Sequence, residues 1–303
     1  MRTVYRTNWK PAGFAAALLV VLMLAAGCGV ADPGKDPSGT TLDPVSSTTT
    51  IPAETSTTTS PVQSNDMMTL NVYFARGEEM GVAHRTLLRT EAAAQAAMEQ
   101  LLAGPTAAEQ EWGFSTSIPE GSALLGVTIE NGIAAVDLSA DYEAGGGTFS
   151  MTMRLAQVVF TLTQFPTVEA VAFLLEGEPV TVFSGEGLLL ERPQTRADLE
   201  HVTPAILVEN VAPGDTVRSP VRLTGTANTF EATFMITITD WDGRIVYEDF
   251  ATATSGSGTR GTFDVTVPFE VEQAGMGAII VWEESAKDGS QINVVEIPVR
   301  IEL

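Results

Sequence analysis

Residues Ala123–Ser139 read ALLGVTIENGIAAVDLS. Two apolar runs flank Asn131-Gly132, the dipeptide that best supplies two consecutive left-handed residues to a two-residue hairpin turn. The stretch therefore reads as two antiparallel strands. Upstream, TLNVYFAR (Thr69–Arg76) alternates, with Leu70, Val72 and Phe74 on one face, as a half-buried strand does. Between them, TEAAAQAAMEQLLAGPT repeats at helical spacing, and Ala94, Ala97, Met98 and Leu101 share a face. Thr90 is the expected N-cap, Glu91 suits the positive end of the helix dipole, and Gly104-Pro105 is the stop.

Downstream, GGGTFSMTMRLAQVVFTLTQFPTV predicts a second helix capped at Ser150 and ended by Pro166, with Met151, Leu155, Val158, Leu162 and Phe165 as its apolar stripe. VEAVAFLLEGEPVTVF then reads as a hairpin turning near Gly177. The order β-α-β-β-α-β-β predicts an α+β domain over residues 67–190, followed by a bridge over 191–204. From Ala205 onward no helical period remains. The runs AILVENV, VRLTGTA, ATFMITITD, RIVYEDFA, TFDVTVPF, GAIIVWEES and INVVEIPVRIEL are separated by turn residues. Such spacing predicts an all-β immunoglobulin-like sandwich over 205–303, without the Cys…Trp…Cys pattern of antibody domains.

The other end of the chain reads differently. Arg2, Arg6 and Lys10 form a positive head, Ala12–Ala26 is an uncharged apolar run, and small residues lead to Cys28. These are the parts of a secretory signal peptide over residues 1–27. An uncleaved N-terminal anchor is the alternative, since the apolar stretch can be extended to about 20 residues, the length that spans a bilayer. Residues 28–66 are rich in Thr, Ser and Pro and nearly lack large apolar side chains, so a disordered stalk is expected there. About 38 flexible residues would span roughly 35 Å. Cys28 is the single cysteine of 303 residues, so no internal disulfide is open to it.

The ending LAAGC (Leu24–Cys28) resembles the lipobox of bacterial lipoproteins, with Ala25 where a leucine usually stands and Leu24 one place earlier. The resemblance implies that the Cys28 sulfur carries a diacylglycerol and that cleavage occurs just before it. Several acyl chains anchor stably where one does not. The expected location is the outer face of the cytoplasmic membrane.

The chain holds 16 basic and 38 acidic residues, a formal charge of −22. Losing Arg2, Arg6 and Lys10 with the leader would bring 16 basic residues to 13 and the charge to −25. Such a surface repels nucleic acid, so no nucleic-acid partner is expected. The two histidines, His84 and His201, offer no zinc-binding set.

Two further resemblances carry most of the ordered chain. LLAGPT (Leu101–Thr106), SIPEGSALLGVTIENGIAAVDLS (Ser117–Ser139) and RLAQVVFTLTQFPTVEAVAFLLEGEPV (Arg154–Val180) resemble a GerMN domain of spore-germination and sporulation lipoproteins. GTANTFEA (Gly225–Ala232) and VWEESAKDGSQINVVEIPV (Val281–Val299) resemble the immunoglobulin-like domain of bacterial spore germination. Together they imply a cell-envelope lipoprotein with no assigned catalytic activity, related to the ring-building modules of sporulation complexes; no cofactor or metal is expected. Its expected partners are the membrane, through Cys28, and an envelope protein or the cell wall, with self-association also open to it. A wall-acting hydrolase and a solute-binding lipoprotein are the competing classes.

Other motifs read more simply as structure. GSGTRG (Gly256–Gly261) fits the dinucleotide fingerprint but precedes a strand, so a loop is expected. DWDG (Asp240–Gly243) resembles part of a calcium loop, yet Asp-Gly between strands is first a hairpin turn. Asp137, Asp141 and Glu143 beside Gly145–Gly147 are three carboxylates from which a glycosidase pair could be drawn, set against a solvated cluster before a flexible loop. Ser139 and Ser150 lack a neighbouring histidine, unless folding brings His84 to them.

Overall fold

The strand expected over Thr69–Arg76 is β1 (Met67–Arg76), but it does not lead into a helix. It turns through Gly77 into β2 (Glu79–Leu88), and the two pair antiparallel from Met67↔Leu88 to Arg76↔Glu79. The sequence-based order lacks β2 for a physical reason. Gly81 interrupts its pattern, and His84, Arg85 and Thr86 put three polar residues in a row. Arg85 is satisfied by Glu109 and His84 by Asp215, partners that no local pattern reveals. This computed structural model describes residues 66–303 apart from 184 and 186; the expected leader over 1–27, Cys28 and the stalk up to residue 65 lie outside the described residues.

After β2 come α1 (Ala93–Leu102), the short α2 (Ala107–Glu111) and β3 (Phe114–Ser115), which pairs with the end of β1. Helix α1 begins later than expected. Its N-cap is Ala92 with no side-chain hydrogen bond, while Thr90 Oγ1 accepts the Ala92 N–H at 3.2 Å in the preceding turn. Ala97, Met98 and Leu101 are buried as their spacing requires. Helix α2 has a full capping box, in which Thr106 and Glu109 bond each other's backbone N–H.

The quoted stretch forms β4 (Leu124–Glu130) and β5 (Ile133–Leu138). Asn131 and Gly132 have φ of 51° and 82°, the two left-handed residues of a type I′ turn. Helix α3 (Thr148–Leu162) then crosses over to β6 (Ala170–Leu175), which lies parallel to β5 from Ile133↔Ala170 to Leu138↔Leu175. The short β7 (Glu178–Pro179) completes the sheet β4-β5-β6-β7, and β8 (Val182–Phe183) pairs with β9 (Leu188–Leu189). Gly147, not Ser150, is the N-cap of α3, and the helix ends before Phe165. Every residue from Met151 to Leu162 is buried, so α3 is a central helix rather than a one-faced one. Its polar residues are spent on neighbours: Gln157 Oε1 accepts the Ser117 N–H at 2.9 Å and Thr161 Oγ1 accepts the Tyr73 N–H at 3.2 Å. The helix thus closes the part of the β1 edge that β3 leaves uncovered among the described residues.

Residues 191–204 include a 3₁₀ helix, Arg196–Val202, whose Leu199 and Val202 are buried in the first core together with Leu207 and Ala212. The β-rich half follows as β10 (Ile206–Val208), β11 (Thr216–Val217), β12 (Val221–Ala227), β13 (Thr233–Thr239), β14 (Ile245–Thr252), β15 (Gly261–Val267), β16 (Gly275–Glu284) and β17 (Gln291–Ile301). They form two sheets, β10-β12-β15 and β11-β17-β16-β13-β14. Leu223 and Ala227 of β12 face Phe234, Ile236 and Ile238 of β13 and Val299 and Ile301 of β17 in one core, while Arg222 and Asp264 pair outside. An α+β domain followed by an immunoglobulin-like sandwich is the observed architecture.

Candidate binding junction between the two domains

Where the two domains meet, one residue serves as a hub. Glu209 follows β10, and its carboxylate accepts Arg196 Nη1 at 2.6 Å and the Tyr73 hydroxyl. Its backbone carbonyl accepts Asn71 Nδ2 at 3.0 Å and faces His84 Nε2 at 3.2 Å. Arg196 in turn lies over the Tyr73 and Phe160 rings at 5.3 and 4.7 Å and donates to Thr163 Oγ1 at 2.7 Å. Burial and then the Glu209 carboxylate push the Tyr73 phenol far above its ordinary pKa, so it stays a donor at neutral pH.

His84 is held at both ring nitrogens. Nδ1 sits 2.7 Å from Asp215 Oδ2, and Nε2 faces the Glu209 carbonyl. Both neighbours are acceptors, so both contacts are hydrogen bonds only when the ring is doubly protonated. Burial opposes that charge; the Asp215 carboxylate, followed by the Glu209 carbonyl, outweighs it and raises the His84 pKa. Asp215 is itself fixed by the Ala212 N–H at 2.9 Å.

The next loop carries a steric contact. Gly214 has φ of +89°, and a Cβ there would come within 2.1 Å of Trp112 Cη2. Only glycine allows the backbone of the second domain to approach that ring of the first. Arg76 adds Nη1 to the Glu296 carbonyl at 2.7 Å and Nε to the Trp112 carbonyl at 3.0 Å. Beside these contacts lies a cavity of about 350 Å³ lined by Met80, Val82, Phe114, Leu207 and Val211, with Arg76 among the charged residues on its walls.

The residues singled out from the sequence fall elsewhere. Cys28 lies outside the described residues. Asp240 is consumed by its hairpin: Oδ1 accepts the Asp242 and Arg244 N–H groups, each at 3.0 Å. GSGTRG is the loop between β14 and β15, and its Arg260 donates to Glu200 Oε2 at 2.8 Å and to the Pro204 carbonyl at 2.8 Å. Asp141 and Glu143 are exposed on a 3₁₀ turn, and Asp137 Oδ1 accepts the Gly177 N–H at 2.9 Å. The glycines beside them are not a free loop. Arg154, 3% exposed, reaches from α3 to the carbonyls of Ser117, Tyr142 and Gly145 at 2.7, 2.8 and 2.7 Å. The Tyr142 hydroxyl is buried with no partner among the described residues, and burial drives its pKa up. Ser139 Oγ accepts the Ala123 N–H at 2.9 Å, and His84 is committed to Asp215 rather than to either serine. Among the described residues no group of three or more His, Cys, Asp or Glu is placed to hold a metal ion.

Sequence reasoning missed the junction. Tyr73, Glu209 and Arg196 carry no motif, and the sole local hint is polar His84 and Arg85 amid strand-forming residues.

Residues 71–181 match the family model described as Germane, sporulation and spore germination. Residues 205–290 match Gmad2, the immunoglobulin-like domain of bacterial spore germination. Among solved structures, the chain is similar to the first GerMN domain of the sporulation protein GerM from Bacillus subtilis, at 23% identity and a TM-score of 0.37, covering 43% of this chain and 99% of that one. It is also similar to the tandem GerMN domains of the same protein, at 15% identity and a TM-score of 0.37, covering 66% of this chain and 61% of that one. A comparison with curated proteins returned no match. The chain joins a domain of the sporulation and spore germination family to the immunoglobulin-like domain of bacterial spore germination, in that order.

Proposed function

We propose that this protein is a non-enzymatic envelope scaffold, tethered to the outer face of the cytoplasmic membrane by lipid on Cys28. The Thr-rich segment spaces the two domains from the bilayer, and the domains together hold an envelope protein or wall partner. The observation that carries this reading is the junction itself. Its ionisable groups are spent on one another, Glu209 on Arg196 and Tyr73 and His84 on Asp215, and they join two domains instead of facing a reacting substrate. The positive head, apolar run and LAAGC ending support the tether. Among the described residues no helix is long and apolar enough to cross a membrane.

Cys28→Ser is the direct test. The variant is expected in the soluble extracytoplasmic fraction, with the wild-type chain in the membrane pellet after an alkaline wash. Retention of the variant in that pellet would replace the lipid tether with an uncleaved anchor. Crosslinking in intact cells, followed by recovery of the chain, is expected to yield a discrete envelope partner. Turnover of purified wall glycan by the chain would sink the scaffold reading.

A further inference from the structure

The junction leaves hydrogen-bonding capacity unused. β2 pairs with β1 along one edge and, among the described residues, with no strand along the other. Which groups face that open edge follows from β1. Asn71 exchanges both backbone groups with the Gln164 side chain, and Tyr73 donates its N–H to Thr161, all on the side away from β2. In an antiparallel ladder it is then Val72 and Phe74 that exchange bonds with β2, through Ala83 and Gly81. Met80 and Val82 therefore aim their N–H and C=O groups at the open edge. Both residues are buried, at 2% and 5% exposure, both line the 350 Å³ cavity, and their outward groups meet no partner among the described residues. Buried backbone groups are nearly always paired. Another wall also lacks a strand among the described residues: β17 pairs with β11 only at Arg300 and Ile301, and in the Val294–Ile297 stretch lining the cavity the Glu296 carbonyl is taken by the Arg76 side chain.

We propose that this cavity docks an extended, apolar peptide segment of a partner protein, which adds as a strand to the open edge of β2 at Met80 and Val82. The proposal rests on the scaffold reading and specifies where, and by what chemistry, the partner is held. An extended chain presents outward donors and acceptors every second residue, about 7 Å apart, which is the repeat Met80 and Val82 offer. Main-chain bonds then supply affinity, and alternate side chains fill the space against Phe114, Leu207 and Val211. A compact ligand could cover those apolar walls but would leave the edge amides unpaired. Val294, half-exposed at 51%, extends the apolar surface at the cavity.

The test pans the full-length protein in detergent against a displayed library of random dodecapeptides. Enriched sequences are expected to carry apolar residues at every second position. A synthetic peptide of that sequence should slow hydrogen exchange at the Met80 and Val82 amides. Val294→Glu puts a charge beside the apolar walls at an exposed position that tolerates it, and should weaken the peptide at least tenfold. Val82→Pro removes an outward N–H without breaking a bond to β1, and should weaken it similarly; if that variant does not fold, Val294→Glu carries the test. No enrichment, undiminished binding to Val294→Glu, or protection at other amides would overturn the proposal. If Val294→Glu abolishes peptide binding yet keeps the crosslinked envelope partner, this site is wrong and the scaffold reading stands.

Discussion

His84 shows how a single side chain is decided by groups far away in the chain. Its ring bridges Asp215 and the Glu209 carbonyl, and Arg85 approaches it only through the His84 carbonyl, at 3.3 Å. The raised pKa has a definite consequence for stability. Protonation favours the folded state, so the contribution is complete below the unfolded ring's value of about 6.5 and disappears as pH rises through the higher folded value. The urea midpoint of the wild-type chain is therefore expected to fall as pH is raised through and above that point. His84→Gln should flatten that fall. A wild-type midpoint that holds steady across the same window would mean that the ring is neutral at the junction. In the sequence His84 is an isolated histidine, and nothing near it names Asp215.

At the scale of elements, α3 was legible as a helix because Met151, Leu155, Val158 and Leu162 repeat at its period. Its burial on all sides was not legible, because Arg154, Gln157 and Thr161 look like a solvent face until their partners are known. Arg154 is the clearest case: its guanidinium binds three carbonyls and no carboxylate among the described residues. Arg154→Met keeps much of the side-chain length and leaves those carbonyls unpaired around Tyr142. At roughly 1–3 kcal/mol for an unsatisfied buried group, the Tyr142 carbonyl dominates, the part-buried Ser117 and Gly145 carbonyls add less, and the loss should be about 2 kcal/mol in urea unfolding. A loss under about 0.5 kcal/mol would mean that the loop rearranges freely, as its glycines suggest. The caps were misplaced for a related reason. Thr90 and Ser150 have the right chemistry, but the chain enters α1 and α3 from turns that put Ala92 and Gly147 at the boundary. β2 was overlooked because four of its ten residues, Glu79, His84, Arg85 and Thr86, are polar, and the partners of His84 and Arg85, Asp215 across the junction and Glu109 of α2, lie far away in the chain.

At the scale of the whole molecule, the two domains behave as one unit only if the junction holds. Glu209→Ala removes the carboxylate from Arg196 and Tyr73, leaving a mostly buried guanidinium among the Tyr73 and Phe160 rings. Breaking such a pair costs about 3 kcal/mol. Beyond that loss, calorimetry is expected to show two unfolding transitions in the variant where the wild-type chain shows one. A variant that keeps a single transition at the wild-type temperature would show that other contacts, such as Trp112 on Gly214, join the domains.

By itself the sequence determined the periods and their punctuation: the type I′ turn at Asn131-Gly132, the apolar stripe of α3, and the alternating strands after Ala205. These are local, since turn dihedrals and the 2.0 and 3.6 residue repeats involve neighbours within a few positions. Only the tertiary structure decided the β2 hairpin, the burial of Arg154 and the junction, where Tyr73 and Glu209 meet across 136 positions. A polar side chain has no periodic signature. Its partner depends on which loops the packed cores bring together, and that is a property of the assembled fold.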